Sequence, residues 1–225
     1  METNQSAKIY VGFITYNDST AKYLPYFLPS LKSQTYGNIK ILAVDNSEVQ
    51  ANENKSFIKT FPEINFTWSG GNMGFAKAYN MMISEAVKAR ADYFLMLNPD
   101  MILEPNVAEE MLEVMESDSS IAVVAPKILK WDFENKMKTD IVDSYGVVCD
   151  RKFRFRDDGQ GEKDNREIGQ EEEIFGFTGA AAMFNLKALE DAVYIEEKEL
   201  NGGEIQKDKE YFDEYGNAQA KFKEL

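Results

Sequence analysis

Residues 93–105 read YFLMLNPDMILEP, an apolar run that breaks on Asn98-Pro99-Asp100 before apolar residues resume. A carboxylate held where a buried strand stops, with a proline restricting the backbone ahead of it, has little freedom left to lose on gripping an ion. Hard divalent cations such as Mg2+ and Mn2+ take oxygen ligands, commonly one or two carboxylates together with the phosphates of a substrate. Asp100 therefore reads as the protein half of a metal-diphosphate clamp, with the ion acting as a Lewis acid on a departing diphosphate. Two more polar clusters close apolar runs: Thr15, Tyr16 and Asn17 at the end of IYVGFIT (9–15), and Asp45, Asn46 and Ser47 at the end of IKILAVD (39–45). The stretch SGGNMGFAKAYN (69–80) adds Gly70, Gly71 and Gly74, which let backbone approach a ligand or take positive φ where a helix starts. Each feature alone has a plainer explanation, because Asn, Asp and Gly cap helices and make turns wherever strands stop.

Composition narrows the chemistry. The 225-residue chain has no histidine and one cysteine, Cys149. That removes Ser-His-Asp and Cys-His catalysis, histidine as general base, His-based or thiolate zinc sites, and any intrachain disulfide. An acid, base or metal ligand must come mainly from Asp, Glu, Asn, Lys or Tyr. A net charge of -14 argues against nucleic acid or an anionic membrane as partner, since either calls for a basic patch. The one basic cluster, RKFRFR at 151–156, is followed at once by acids; it could meet a phosphate or an anionic headgroup, but a solvated hairpin strand is the plainer reading. No run approaches the roughly 18 apolar residues of a membrane span and METNQSAK lacks an apolar signal core, so the chain reads as cytoplasmic, peripheral at the inner face of the membrane at most.

The elements that must position these residues emerge from periodicity. Five short apolar runs, at 9–15, 39–45, 64–68, 93–98 and 121–126, read as strands, and the third is the most polar. Between them Leu24, Phe27, Leu28 and Leu31 fall at helical spacing, with Pro25 suited to a first turn and Pro29 set to weaken or kink the helix beyond it. Phe75, Tyr79, Met82, Ile83, Ala86 and Val87 give a second helix one apolar face, and Pro105 starts a third that buries Ala108, Met111, Leu112 and Met115. Met81, Met82, Met96, Met101, Met111 and Met115 read as core filler, and Trp68 and Trp131 as packing residues. Alternation of strand and helix predicts an α/β layered fold around a mainly parallel sheet. After Ile128 the pattern changes: DSYGVVCDRKFRFRDD reads as a β-hairpin, residues 157–173 as a charged, mobile surface loop, and FGFTGAAAMFN (175–185) as tight packing before another strand. Ligands in such sheets bind beyond the carboxyl ends of the strands, where the three polar clusters fall.

Taken together and in order, VGFITYN, LAVDNS, GGNMGFAKAYN, LMLNPD and FGFTGAAAMF resemble glycosyltransferase family 2, closest to its rhamnosyltransferase-like branch, from about Lys8 to Tyr215. The pairing of N-x-G-F-A with L-N-P-D some twenty residues later is the specific part. The resemblance implies a GT-A fold, one domain over 1–225 with a nucleotide-sugar half (1–128) and an acceptor-side half (129–225), and inverting transfer of a sugar from a UDP- or dTDP-sugar to a saccharide, lipid-linked or protein acceptor, with Mg2+ or Mn2+. It would place Thr15 and Asn17 near the base, Asp45 on the base or ribose, and Asn72 and Gly74 along the nucleotide and sugar pocket. Asn98 and Asp100 would stand in the position of the family's Asp-x-Asp motif, with Asp100 the metal ligand, and Gly179 would border the acceptor side.

One departure bears on catalysis. Such enzymes continue past a stretch like EYFDEY (210–215) into a helix bearing an acidic pair that supplies the base, whereas here GNAQAKFKEL comes next and the chain reads as shortened. Inverting transfer needs a carboxylate to take the proton from the acceptor hydroxyl. Asp213 and Glu214 are the acids nearest that place. A nucleotide-sugar-binding protein with little or no turnover is the alternative reading. A sugar-phosphate nucleotidyltransferase is disfavoured, because YNDSTAKYLP lacks the Gly-rich, basic loop that class carries after its first strand.

Overall fold

The computed structural model describes residues 6–166 and 171–189. The chain runs β1 (Ile9–Thr15), α1 (Asn17–Ala21), α2 (Leu24–Lys32), β2 (Ile39–Asp45), α3 (Glu53–Ile58), β3 (Ile64–Trp68), α4 (Phe75–Lys88), β4 (Tyr93–Leu97) and α5 (Val107–Ser117). A series of strands comes after α5: β5 (Val123–Val124), β6 (Ile128–Asp132), β7 (Met137–Ser144), β8 (Val147–Cys149), β9 (Phe155–Asp157) and β10 (Ala181–Asn185). One six-stranded sheet has the order β3-β2-β1-β4-β10-β5. Its first four strands are parallel, and β10 lies antiparallel between β4 and β5. The expected α/β fold with a mainly parallel sheet and flanking helices is what forms.

Side chains alternate across a strand, and here both faces are covered, which is why β1, β2 and β4 read as continuous apolar runs. Val11, Phe13, Ile41, Ala43, Leu95 and Leu97 meet α2 and α5 on one face. Leu42, Val44, Phe94 and Met96 meet Ala78, Tyr79, Met82 and Ala86 of α4 on the other. Gly12 belongs to this second face: a Cβ there would stand 2.4 Å from Cζ of the buried Phe94 ring, so the sheet is glycine at that point to let the ring lie flat beneath α4.

Several expectations change. α2 continues through Pro29, whose missing N–H would have met Pro25, and burial of Leu24, Phe27, Leu28 and Leu31 carries the helix across the gap. The fifth strand shrinks to Val123–Val124 because it pairs only with Met183 and Phe184 at the sheet edge. Phe75 (53% exposed) and Met81 (37%) face outward instead of joining the α4 core. The expected hairpin is present as β8–β9, but β6 and β7 form another antiparallel pair, with irregular register. Its turn residue Phe133 packs against Tyr23 and Tyr26, with ring centroids 5.7 and 5.9 Å away. The first part of the charged loop is tied down: Asp164 accepts from Lys127 Nζ (2.7 Å) and the Tyr145 hydroxyl (2.6 Å), while the Arg166 guanidinium lies 4.1 Å above the Tyr145 ring and pairs with Asp158. Charges that would be solvated in a mobile loop are paired here, and the Lys127 and Tyr145 contacts hold the Asp164 carboxyl below its ordinary range.

Candidate active site at the strand ends

β1 and β2 pair in register to their last residues, Thr15 opposite Asp45, so the loops beyond them leave the sheet side by side. Asp45 is fully buried, and its carboxylate organises both loops. Oδ1 accepts from Thr15 Oγ1 (2.9 Å), Ser47 Oγ (2.5 Å) and the Ser47 amide (3.3 Å), and Oδ2 accepts from Asn52 Nδ2 (2.7 Å). Hydrogen bonds of this number compensate a buried carboxylate that has no ion-pair partner among the described residues. Thr15 is likewise buried, and the polar side-chain atoms of Thr15 and Asp45 bond each other and the loop that follows β2. Asn17 stands at the rim with φ 44°, its amide donating to Ser47 Oγ (2.8 Å) and its Oδ1 accepting from the Glu48 amide (3.3 Å).

The residue that follows β2 links this cluster to the glycine stretch. Asn46 donates from its amide to the Thr15 carbonyl (2.8 Å) and from Nδ2 to the Gly74 carbonyl (3.2 Å). Its Oδ1 is buried with no donor in reach among the described residues. Gly74, at φ 85°, precedes the first residue of α4, and no side chain caps that helix start. Asn72 is exposed, and its Oδ1 accepts from the Gly74 amide at 2.9 Å, which shapes the turn.

On the other flank of these loops come β4 and the segment entering β10. Because β10 runs antiparallel, its start lies where the parallel strands end, and the Asn98 amide donates to the Ala180 carbonyl at 2.7 Å. Gly179 sits against α4, with a Cβ position 3.5 Å from Phe75 Cζ. Phe75 in turn lies against Tyr79 (centroids 4.6 Å), whose hydroxyl donates to the Leu97 carbonyl (2.9 Å). Burial, followed by the nearby Asp100 charge, pushes the Tyr79 phenol above its ordinary range and keeps it a neutral donor. Asp100 itself is exposed at the turn after β4 and engages no hydrogen-bond or ion-pair partner among the described residues.

A continuous set of contacts thus runs from Thr15 and Asp45 through Asn46 and Gly74 to Phe75, Gly179 and Asn98, with Asp100 two residues on. Asp213 and Glu214 lie outside the described residues. Sequence reasoning missed Asn52 and Asn54; Asn54 is fully buried, donating to the Asn17 carbonyl (2.9 Å) and accepting from Thr20 Oγ1 (3.0 Å). An open hollow on α3 lined by Ala51, Asn52, Glu53, Lys55, Ser56 and Lys59 contains none of the expected site residues. Among the described residues no three potential ligating side chains converge. A lone free carboxylate suits a hard cation that brings a diphosphate as its other ligands, and does not suit a protein-only cage.

Comparison with known proteins bears on the family and the fold. The sequence pattern of Glycosyl transferase family 2 matches residues 10–192. No curated protein sequence matches. The fold is similar to that of the mannosyltransferase PcManGT from Pyrobaculum calidifontis, solved with GDP-Man and Mn2+, at 15% identity and TM-score 0.52 over 88% of this chain and 48% of that one. It is similar to S. aureus TarS 1-349 in complex with UDP-GlcNAc, at 14% identity and TM-score 0.55 over 82% of this chain and 47% of that one. The chain therefore spans about half the length of these solved structures. With the family pattern covering most of its length and the GT-A arrangement of its sheet, this chain belongs to Glycosyl transferase family 2.

Proposed function

We propose that this chain is a metal-dependent inverting glycosyltransferase that moves a sugar from a UDP- or dTDP-sugar to a saccharide, lipid-linked or protein acceptor. The observation that carries the reading is Asp100: an exposed carboxylate without a protein partner among the described residues, placed two residues after Asn98, whose amide ties the end of β4 to the segment entering β10. With Asn98 beside it, Asp100 would hold Mg2+ or Mn2+. The ion supplies positive charge for the departing diphosphate. The first turn of α4, uncapped by any side chain and entered through Asn72 and Gly74, offers its own backbone N–H groups toward the same negative charge. Asn17 faces the base from the rim, and Asp45 meets base or ribose once the Asn52 amide gives up Oδ2. Gly179 borders the acceptor side, where its Cβ position lies 3.5 Å from Phe75 Cζ, at ordinary contact distance. The proton of the acceptor hydroxyl falls to Asp213 or Glu214. Rhamnose-like donors are the sugars that the family branch suggests.

The test is a thermal-shift and calorimetric screen of UDP, dTDP and GDP, each with and without Mn2+, on the parent and on Asp100→Ala. Stabilisation by one pyrimidine nucleotide is expected only with Mn2+, and Mn2+ alone is expected to give none. Release of nucleoside diphosphate should fall more than about 100-fold in Asp100→Ala, since even partners outside the ligand shell are worth about 10–100-fold. Equal metal-dependent stabilisation in Asp100→Ala would overturn the assignment. Stabilisation without turnover, with acceptor present, would mark a binding protein.

A further inference from the structure

We propose that the tip of the β8–β9 hairpin docks this protein on an anionic phospholipid surface, independently of the transfer reaction. Residues 151–156, Arg-Lys-Phe-Arg-Phe-Arg, are six consecutive exposed positions spanning the β8–β9 turn and the start of β9. Phe153 is 83% exposed and Phe155 62%; Phe175, from the segment entering β10, is 69% exposed and lies 5.7 Å from Phe155 between ring centroids. Three large apolar side chains are thus held in water within one small area, which is the pattern of a contact surface.

The turn is built to present them. Asp150 accepts from the amides of Lys152 (2.7 Å) and Arg154 (3.1 Å), and the Phe153 amide donates back to the Asp150 carbonyl (2.9 Å). Phe153 stands at φ 57°, in the left-handed region where glycine or asparagine would fit with less strain. A bulky ring kept in a disfavoured conformation and out of the core points to a use for that ring.

Charge selects the occupant. Four of the chain's 25 basic residues fall in this one turn. Arg154 pairs with Asp150, whereas Arg151, Lys152 and Arg156 have no ion pair among the described residues. The acids just beyond the turn are partly turned inward: Asp157 accepts from Ser144, and Asp158 pairs with Arg166, which also meets the exposed Glu172. The net charge of -14 weighs against an anionic partner for the molecule as a whole, but the field near a surface falls off within a Debye length, so the tip's own charge dominates when it leads. Glu171 and Glu173, close to Phe175 in sequence, oppose the attraction and keep attachment reversible. A single-stranded nucleic acid would need a basic groove to track its backbone, and this tip offers none. Rings that enter the headgroup boundary with cations above them match a bilayer.

The experiment is co-sedimentation of the full chain with vesicles of phosphatidylglycerol and phosphatidylcholine, against pure phosphatidylcholine, at low and high salt. Binding is expected only to the phosphatidylglycerol vesicles, weakening with salt, and falling about fivefold in each of R151A and K152A. F153S should lose about tenfold, while F153W should bind and shift its emission to the blue. All these positions are exposed and apart from the strand-end site, so thermal midpoint and nucleotide-dependent stabilisation should stay as in the parent. Absence of anionic-vesicle binding, equal binding to phosphatidylcholine, unchanged binding in F153S and R151A, or capture of an oligonucleotide without vesicles would each overturn the proposal.

Discussion

Asp45 and Asp100 are both carboxylates at strand ends, yet the protein treats them in opposite ways. Asp45 accepts four hydrogen bonds in the interior, and Asp100 is left to solvent. Asp45→Ala should therefore destabilise the fold by roughly 3 kcal/mol, because it strands the donors of Thr15, Ser47 and Asn52; Asp100→Ala should leave the unfolding free energy in ligand-free buffer within about 0.5 kcal/mol of the parent. Denaturant titration separates the two. Asn52 carries a double duty, donating to Asp45 and accepting from the Lys55 amide (3.1 Å) as the cap of α3. Asn52→Ala should lower stability by about 1 kcal/mol through the lost cap. The same change should tighten nucleotide binding by up to about fivefold, since it removes a competitor for Oδ2; weaker binding by calorimetry would mean that Asp45 serves the loops alone. Asp100 was legible in the sequence because a charge ends an apolar run there. Asn52 and Asn54 were not, because NSEVQANENKS is polar apart from Val49 and Ala51 and nothing in residue type marks which amides turn inward.

Among the elements, the strands with both faces covered announced themselves, since full burial requires unbroken apolar runs. Gly12 lies inside one of these runs and its reason appears only in three dimensions, where the Phe94 ring takes its side-chain space. Gly12→Ala should destabilise by about 3 kcal/mol, and Phe94→Leu should recover part of that loss, a coupling that a double-mutant cycle would measure. The β6–β7 pair escaped the sequence reading for a related reason. KILKWDFENKMKTDIVDS is charged and only partly alternating, and the irregular register leaves no period of two to trace. Partner choice between strands is not written in either strand alone. The α2 proline shows the converse, with tertiary burial overriding a local signal that was read correctly.

For the molecule as a whole, the acidic composition turns into position-specific structure where charges meet. The Asp164 carboxyl is held below its ordinary range by Lys127 and Tyr145, so the folded state takes up a proton less readily than the unfolded chain. That stabilisation is present at neutral pH and is lost as pH falls below about 4 and through the lowered folded-state value. Asp164→Asn should melt below the parent at pH 7, and the two midpoints should converge by about pH 3. A pH-independent difference would assign the effect to packing. The sequence read this segment as free chain because its composition is that of disordered regions; what composition does not carry is which opposite charges a neighbouring hairpin brings within reach.

The antiparallel β10 joins β4 through pairs such as Phe94 with Phe184, drawn from far apart along the chain. During synthesis β1 to β4 are complete long before their last central neighbour exists, so the apolar edge of β4 waits unpaired while both hairpins and α5 are being made. Such an edge invites pairing with another nascent chain. Release of chains ended before Ala181 should give aggregates in which β4 is the contact, whereas chains carried past Asn185 can close the sheet on themselves.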